Sequence, residues 1–315
     1  MVVNTYGDAM ARPLLRTGTG NGFTRQGGNG SPAQINYVAL QGIECHAHTR
    51  VAASTGTGFW WLGPGESILI EDCCFRGYSN GVTIQMDANG RPAVVSIRRS
   101  LILDSFSHPG HSQGLFANGV DCLEIIECLF DHNGWNSTLG ADPTIFNHNL
   151  YIATNNTNVR VADTLFARAS SHGVQLRCGG EIEGNVVVGC PLGILLGGGD
   201  PAVTSHTEGI TGSIIGNIIL GGTDITPALP RGMGIDLANI GLSGARVIGN
   251  IIANKTTSNG GTSIALNGAG YGAGVGCNNI LVESNIVYDW RGSVSITAPP
   301  ASPPWAWRVR SIPPF

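Results

Sequence analysis

Charge is scarce in this chain, and this limits what the protein can bind. Charged residues make up 12% of the 315 residues, Lys255 is the single lysine, and the formal net charge is −4. This balance gives no support for binding to nucleic acid or to a membrane surface. Because the chain has no apolar run of about 18 residues, we expect no transmembrane helix. Residues 1–5 lack the basic and apolar regions of a signal peptide.

The chain also lacks the cysteine patterns of zinc sites and of disulfide frameworks. It contains eight cysteines but no Cys-x-x-Cys pair, which argues against a zinc site. Most of them lie in or beside apolar segments, where a free thiol is an ordinary core residue. We therefore predict free core thiols, with a bridge between neighbouring coils of the fold inferred below as the alternative.

Glycine is abundant, with 47 residues, and it accompanies a recurring phrase. The phrase is an apolar residue, a polar or small pair, Asn or another small residue, and further apolar residues. Its clear copies are 182–187, 214–219, 247–252 and 282–287, and its looser copies are 70–75, 97–102, 125–130 and 161–166. The Asn position falls at 73, 100, 128, 164, 185, 217, 250 and 285. Repeats of roughly 20–50 residues signal a stacked architecture.

A second recurring segment is also typical of a strand. Its copies are 81–85, 114–118, 149–153, 173–177, 193–197, 234–238 and 263–267. Both segments are short and rich in β-branched residues, with Gly, Asn and Asp between them. Two short strands per repeat at variable intervals predict an all-β fold, a single right-handed parallel β-helix of about eight or nine coils. A propeller needs four strands per blade and more regular spacing. We predict one domain, with a Gly-rich lead (1–36), the coils (37–290) and a Pro-rich tail (291–315).

Alternation along the second segment assigns its side chains to faces, because successive side chains of a strand point to opposite sides. Val174 and Leu176, with their equivalents, are predicted to stack inward, while Tyr151, Gln175 and Asp236 belong to one outward column. The asparagines at 185, 217, 250 and 285 are predicted to form an internal ladder, because a buried amide needs hydrogen-bond partners. We interpret these four asparagines as structural.

One outward region carries most of the reactive side chains. Three successive coils carry His111-Ser-Gln113, His148-Asn149-Leu-Tyr151 and His172-Gly-Val-Gln175-Leu-Arg177, and the loop between two of them carries His132 and Trp135. The alignment stacks His148 on His172 and Tyr151 on Gln175. Stacked imidazoles are predicted to have pKa values shifted toward neutrality. A histidine that caps a strand corner is the competing, structural interpretation. Rungs every ~4.8 Å are close to the length of a sugar residue, so the predicted ligand is a linear polysaccharide.

The coil pattern, the Asn ladder and the pairing of His148-Asn149-x-Tyr151 with His172-Gly173-x-x-x-Arg177 resemble the pectate-lyase-like superfamily of right-handed parallel β-helix proteins. The resemblance covers residues 37–290. It implies an acidic, uronic-acid-containing polysaccharide as substrate and β-elimination as the reaction. The WiDH-like and RxPxxR-like motifs of well-known pectate lyases are absent, and of the polygalacturonase motifs only Ser171-His172-Gly173 has a counterpart. The superfamily also contains hydrolases, esterases and phage tailspikes.

β-Elimination needs a base, an acid and a group that neutralises the uronate carboxylate. Because the single lysine lies far along the chain, His148 or His172 is the candidate base. Arg177 is the candidate neutralising group, and Tyr151 is the candidate proton donor to the leaving oxygen. The candidate substrate-binding residues are His111, Gln113, His132, Trp135, Asn149 and Gln175. We expect no metal or cofactor, with calcium as the alternative, although the patch lacks the carboxylate cluster that hard cations prefer.

Two other functions stay open. A glycoside hydrolase on the same fold needs two carboxylates beside the bond, but the chain has no Asp-Asp pair, Asp131 and Asp142 lie on loops, and Asp236 is several coils away. A non-catalytic, tailspike-like carbohydrate-binding protein would be trimeric, and the chain has no coiled coil. We therefore predict a monomer, located outside the cell or in the periplasm, whose partner is the polysaccharide.

Overall fold

The computed structural model describes residues 1–5, 11–26, 35–108, 110–198, 206–254, 261–267 and 276–290, and the backbone of two later strands. In chain order the strands are β1 (Val2–Val3), β2 (Leu14–Arg16), β3 (Phe23–Arg25), β4 (Val38–Gln41), β5 (Glu44–His46), β6 (Thr57–Leu62), β7 (Gly65–Glu71), β8 (Cys74–Arg76), β9 (Asn80–Gln85), β10 (Pro92–Arg98), β11 (Leu101–Leu103), β12 (Gln113–Asn118), β13 (Cys122–Ile126), β14 (Leu129–Asp131), β15 (His148–Ile152), β16 (Val159–Ala162), β17 (Leu165–Ala167), β18 (His172–Leu176), β19 (Gly180–Glu183), β20 (Val186–Val188), β21 (Leu192–Gly197), β22 (Ile210–Ile215), β23 (Ile218–Leu220), β24 (Met233–Ala238), β25 (Ile240–Ile248), β26 (Ile251–Ala253), β27 (Ile264–Asn267), β28 (Ile280–Tyr288), β29 (Val294–Ile296) and β30 (Ala306–Ser311). A short 3₁₀ helix, Ser137–Leu139, lies between β14 and β15.

The strands stack as a parallel β-helix, which confirms the predicted all-β solenoid. From β1 to β25, each strand pairs in parallel with the strand three positions along the chain, so that β4 pairs with β7 and β6 with β9. This pattern generates three ladders: a first ladder that begins with β1, a second that begins with β2 and a third that begins with β3. The long strand β28 runs through both the first and the second ladder.

The prediction of two strands per coil is wrong, because each coil has three. The recurring phrase itself contains two strands, one on each side of a corner, as β19 and β20 lie on each side of Asn185. The number of coils was also underestimated. Strands β1 to β29 make ten coils within the described residues, and the first of them, β1 to β3, comes from segment 1–36.

The corner explains why glycine belongs to the phrase. The residue before the Asn position adopts a left-handed backbone conformation, with φ of 65° at Gly184, 64° at Gly216 and 66° at Gly249. Glycine enters this region without the steric cost that a Cβ imposes. The looser copies place Asp72, Arg99, Glu127 and Asp163 at the same corner, with φ of 52°, 48°, 54° and 49°. Asp is among the few non-glycine residues enriched in this conformation.

The internal asparagine ladder is confirmed. Asn185, Asn217, Asn250 and Asn285 are fully buried. The Nδ2 group of each of the first three donates to the Oδ1 atom of the next, over 2.9, 3.0 and 2.8 Å. Each Nδ2 also donates to a backbone carbonyl. The ladder continues into the looser copies, since the backbone N–H of Thr164 donates to Asn185 Oδ1 at 3.1 Å.

The core lies between the three ladders, and the residues predicted to stack inward line it. Val174 and Leu176 are fully buried, as are Ile235 and Leu237 two coils later. The eight cysteines are free, as predicted, and seven of them are buried, whereas Cys122 is exposed. Burial raises the pKa of the Cys190 thiol to about 12, so this thiol stays protonated at neutral pH. Within the described part of the chain, no helix has the length and apolar character required to cross a membrane.

Candidate functional site

His148 and His172 meet on adjacent coils at the start of the third-ladder strands β15 and β18. Their Nδ1 atoms lie 3.0 Å apart, and their rings cross at 81° with centroids 4.6 Å apart. The predicted stacking of the two histidines is therefore confirmed. The expectation that this outward region faces solvent is wrong at this point, because the two residues are only 3% and 2% exposed.

The residue after each histidine, Asn149 or Gly173, points into the coil, so the histidine itself lies on the outer face. A Cβ atom on Gly173 would lie 2.6 Å from Val187 Cγ1 and 3.4 Å from Cys190 Sγ, both in the core. Position 173 therefore points inward together with Val174, and strict alternation fails at this bend. The equivalent residue of the preceding coil, Asn149, also points inward.

The inward position of Asn149 overturns its prediction as a substrate-binding residue. Asn149 is fully buried. Its Oδ1 atom accepts from Asn133 Nδ2 at 2.8 Å, and its Nδ2 group donates to the carbonyl of Ala167 at 2.9 Å. These contacts satisfy the amide inside the coil, so Asn149 is a structural residue, as the ladder asparagines are.

Both histidines are held neutral. Burial, reinforced by the positive charges of Arg177 and Arg231, lowers the pKa of His172 to about 3. Burial lowers the pKa of His148 well below its ordinary value as well, with further contributions from His172, Arg177 and His111. The expected shift toward neutrality is thus wrong, because burial outweighs every other influence and disfavours the charged ring.

The hydrogen bonds assign the proton shared by the pair. The backbone N–H of His172 points to Nδ1 of His148 at 3.5 Å, so this nitrogen accepts. The Nδ1 atom of His172 then donates to it, and the hydroxyl oxygen of Ser171, 2.9 Å from His172 Nδ1, is a second acceptor. Nε2 of His172 is left with a lone pair, and this buried atom has no hydrogen-bond partner among the described residues.

Tyr151 and Arg177 pack beside the pair on the outer face, where they were predicted. The Tyr151 ring crosses the His148 ring at 88° with centroids 5.3 Å apart. The guanidinium carbon of Arg177 lies 5.1 Å from the centre of the Tyr151 ring. Tyr151 also pairs in register with Gln175. A base, a phenol and a guanidinium are therefore brought together at one place.

Of the other candidates, Gln113 lies next to the pair. Gln113 pairs in register with His148, and its Oε1 atom accepts from the His148 backbone N–H at 2.8 Å. Its Nε2 group donates to the carbonyl of Phe146 at 2.9 Å. His111 stacks on the exposed Phe146 ring at 5.5 Å. Gln113 is thus used to position His148, and His111 lies at the edge of the cluster.

His132 and Trp135 belong to a different cluster at the end of the second ladder. His132 Nδ1 lies 2.8 Å from Asp104 Oδ1, and its ring crosses the Trp135 ring at 4.3 Å. Trp135 Nε1 donates to the carbonyl of Arg168, whose guanidinium pairs with Asp131 at 2.5 Å. Within the described residues, His132 and Trp135 contact this cluster and not the histidine pair.

Two residues beside the pair and one residue two coils further along were not predicted as site residues. Ser171 and Arg231 act on His172, as described above. Asp236 shares the outward column of Gln175, two rows further along. Burial raises the pKa of Asp236 to about 7. Its Oδ1 atom and Gln175 Oε1 are buried without hydrogen-bond partners among the described residues. The outward column that contains Asp236 could be predicted from the sequence, but the burial of Asp236 could not.

No group of three or more His, Cys, Asp or Glu side chains with metal-binding geometry occurs within the described ranges. Comparison with protein-family models finds no matching family. Comparison with curated proteins and with solved structures likewise finds no match to this chain.

Proposed function

We propose that this protein is a polysaccharide lyase of the pectate-lyase-like superfamily that acts outside the cell or in the periplasm. Its substrate would be an acidic, uronic-acid-containing polysaccharide, cleaved by β-elimination. The observation that carries the proposal is the neutral His148–His172 pair in contact with Tyr151, with Arg177 against the same ring. These groups supply the three roles that the reaction requires.

His172 is the proposed base. Its pKa of about 3 keeps the ring neutral across the physiological pH range, so no proton has to leave it before reaction. Nε2 is enclosed in this structure, so the proposed reaction requires that substrate binding exposes it. Nε2 then takes the C5 proton of the uronate, the electron pair forms the C4–C5 double bond, and the C4–O bond breaks. The resulting imidazolium lies near Arg177 and Arg231, which disfavour it; a bound carboxylate offsets this repulsion, which is the smaller cause of the low pKa, while burial is the larger.

Tyr151 and Arg177 complete the reaction. The Tyr151 hydroxyl donates its proton to the leaving oxygen, and the Arg177 guanidinium forms two parallel hydrogen bonds with the uronate carboxylate. Neutralising that carboxylate lowers the energy of the negative charge that develops beside it. Gln175, one row from Tyr151, is 1% exposed and closes the outer face at this end, so no sugar contact is assigned to it.

A glycoside hydrolase is the second candidate, and Asp236 favours it. A general acid in such enzymes has a raised pKa, and burial raises the pKa of Asp236 to about 7. A hydrolase needs a second carboxylate beside the first, and no carboxylate among the described residues is found to act on Asp236. Asp236 also lies two rows beyond Gln175. Hydrolysis therefore stays second to elimination.

The test is incubation with a panel of uronic-acid polysaccharides, with the ultraviolet absorbance of unsaturated uronate followed in time. His172→Ala and Arg177→Ala should each reduce turnover by about 10²–10⁴-fold. Arg168→Ala is the matched control, because Arg168 pairs with Asp131 at the other cluster, and it should leave turnover unchanged.

The outcomes separate the functions. New reducing ends without the absorbance, abolished by Asp236→Asn, would replace the lyase proposal with a hydrolase. Retention of the protein on the polysaccharide without any product would indicate a binding protein. Full activity in both His172→Ala and Arg177→Ala would remove the site from the histidine pair.

A further inference from the structure

The outer face of the third ladder is open at one end and closed at the other. In the column of Tyr151, the preceding rows hold Trp60, Thr83 and Phe116, and the following rows hold Gln175, Leu195 and Asp236. Trp60, Phe116 and Tyr151 are partly exposed, and Thr83 between Trp60 and Phe116 is 8% exposed. Gln175, Leu195 and Asp236 are 1%, 0% and 3% exposed. The change from open to closed falls between Tyr151 and Gln175.

A neighbouring column changes one coil later. Gln85, Asn118, Ala153 and Arg177 are partly exposed, whereas Gly197 and Ala238 in the next two coils are buried. Both columns are therefore buried in the seventh and eighth coils, and Asn267 in the ninth coil is again partly exposed. The burial therefore extends over a region of the outer face and is not limited to a single side chain.

Segments from later coils reach back to this boundary on both sides of the ladder. Segment 221–232 precedes β24 in the eighth coil, yet the charge of its Arg231 acts on His172 in the sixth. It is anchored by Trp290, whose Nε1 atom donates to the carbonyl of Gly232 at 3.1 Å. At the other end of the strands, His206 Nε2 lies 3.4 Å from the carbonyl of Asn156.

We propose that the protein binds its polysaccharide by a chain end and acts as an exo-enzyme; this inference rests on the proposed function. A linear chain on the outer face can extend from Tyr151 toward Trp60, but not past Gln175. The three row spacings from Tyr151 to Trp60 span about 14 Å at ~4.8 Å each, which is room for about three sugar units. The two arginines at the closed end, Arg177 and Arg231, match the carboxylate of a terminal uronate.

The first test is binding, measured with His172→Ala so that the ligand stays intact. Uronate polymers of graded length are compared at equal mass, with polygalacturonate and alginate as the probes. At equal mass, longer polymers have fewer chain ends. Binding by a chain end therefore predicts that the amount of protein bound falls with polymer length, in proportion to the number of chain ends. Capacity that stays constant with length, which internal binding requires, would overturn the inference. If the protein binds none of the polymers, both the inference and the proposed function are overturned.

The second test is the product of the active protein on whichever polymer it cleaves. An exo-enzyme releases products of one or two units from the first moments, while the viscosity of the solution falls slowly. A broad series of oligosaccharides with a rapid loss of viscosity would overturn exo action and leave the lyase proposal standing.

The direction of binding has its own test. Trp60→Ala should weaken binding of oligomers of four or more units about fivefold, since loss of one stacking aromatic commonly costs ~1 kcal/mol, and should leave binding of dimers unchanged. Arg177→Ala should weaken both. Equal loss for dimers and longer oligomers in Trp60→Ala would contradict the proposed direction.

Discussion

Asp236 should make the stability of the fold depend on pH in a direction that is unusual for a carboxyl group. Asp236 is 3% exposed, and burial raises its pKa from 3.8 to about 7. A carboxyl whose folded-state pKa is raised binds its proton more tightly in the folded state. Its contribution to stability is therefore greatest below about pH 4, declines as the pH rises to about 7, and is constant above that.

The difference between the two pKa values sets the magnitude. A folded-state pKa of about 7 against 3.8 in the unfolded chain corresponds to about 4 kcal/mol at neutral pH. This is an upper limit, because buried carboxyl groups relax and admit water. Asp236→Asn keeps the size of the side chain and removes the charge. We expect the variant to be up to about 4 kcal/mol more stable than the wild type at pH 7.5, and nearly equal to it at pH 4.

The assay is denaturant unfolding followed by circular dichroism at four values of pH from 4 to 7.5. The difference between variant and wild type isolates Asp236. This is necessary because His148 and His172 act in the opposite sense: their lowered pKa values make stability fall as the pH drops below about 6.5. Asp163→Asn, at an exposed corner, is the control and should not alter the profile. A constant difference between Asp236→Asn and wild type across this range would refute the reasoning.

Three further predictions concern the ladder, the corner and the site. Asn217→Ala leaves two donors of Asn185 and the carbonyl of Ile182 without their partner, so we expect the free energy of unfolding to fall by at least about 3 kcal/mol. Gly249→Val should cost about 1–2 kcal/mol from its φ of 66° alone, since a Cβ there meets nothing within 4 Å; Gly249→Asn is the control that tolerates this φ. His172→Gln should abolish lyase turnover while keeping the unfolding midpoint close to that of the wild type, and an unfolded variant would show that the pair is structural.

Part of the candidate site could be predicted from the sequence because neighbouring coils repeat the same phrase. Aligning the copies was enough to stack His148 on His172 and Tyr151 on Gln175. The same alignment was wrong for Asn149, which alternation along the strand did not distinguish from an outward residue. The bend at Gly173 shifts the alternation by one residue, and Asn149 takes the place that glycine holds in the next coil.

The sequence by itself determined the solenoid, its internal ladder and the column in which each third-ladder residue lies. These features follow from contacts between equivalent positions of adjacent coils, and such contacts recur along the chain as a pattern. Only the tertiary structure decided that the histidine pair is buried and neutral, and that His132 and Trp135 lie in another cluster. It also decided that Arg231 acts on the pair and that Asp236 is buried. Loops that fold back across several coils fix these relations, and a loop's path has no repeat from which it can be predicted.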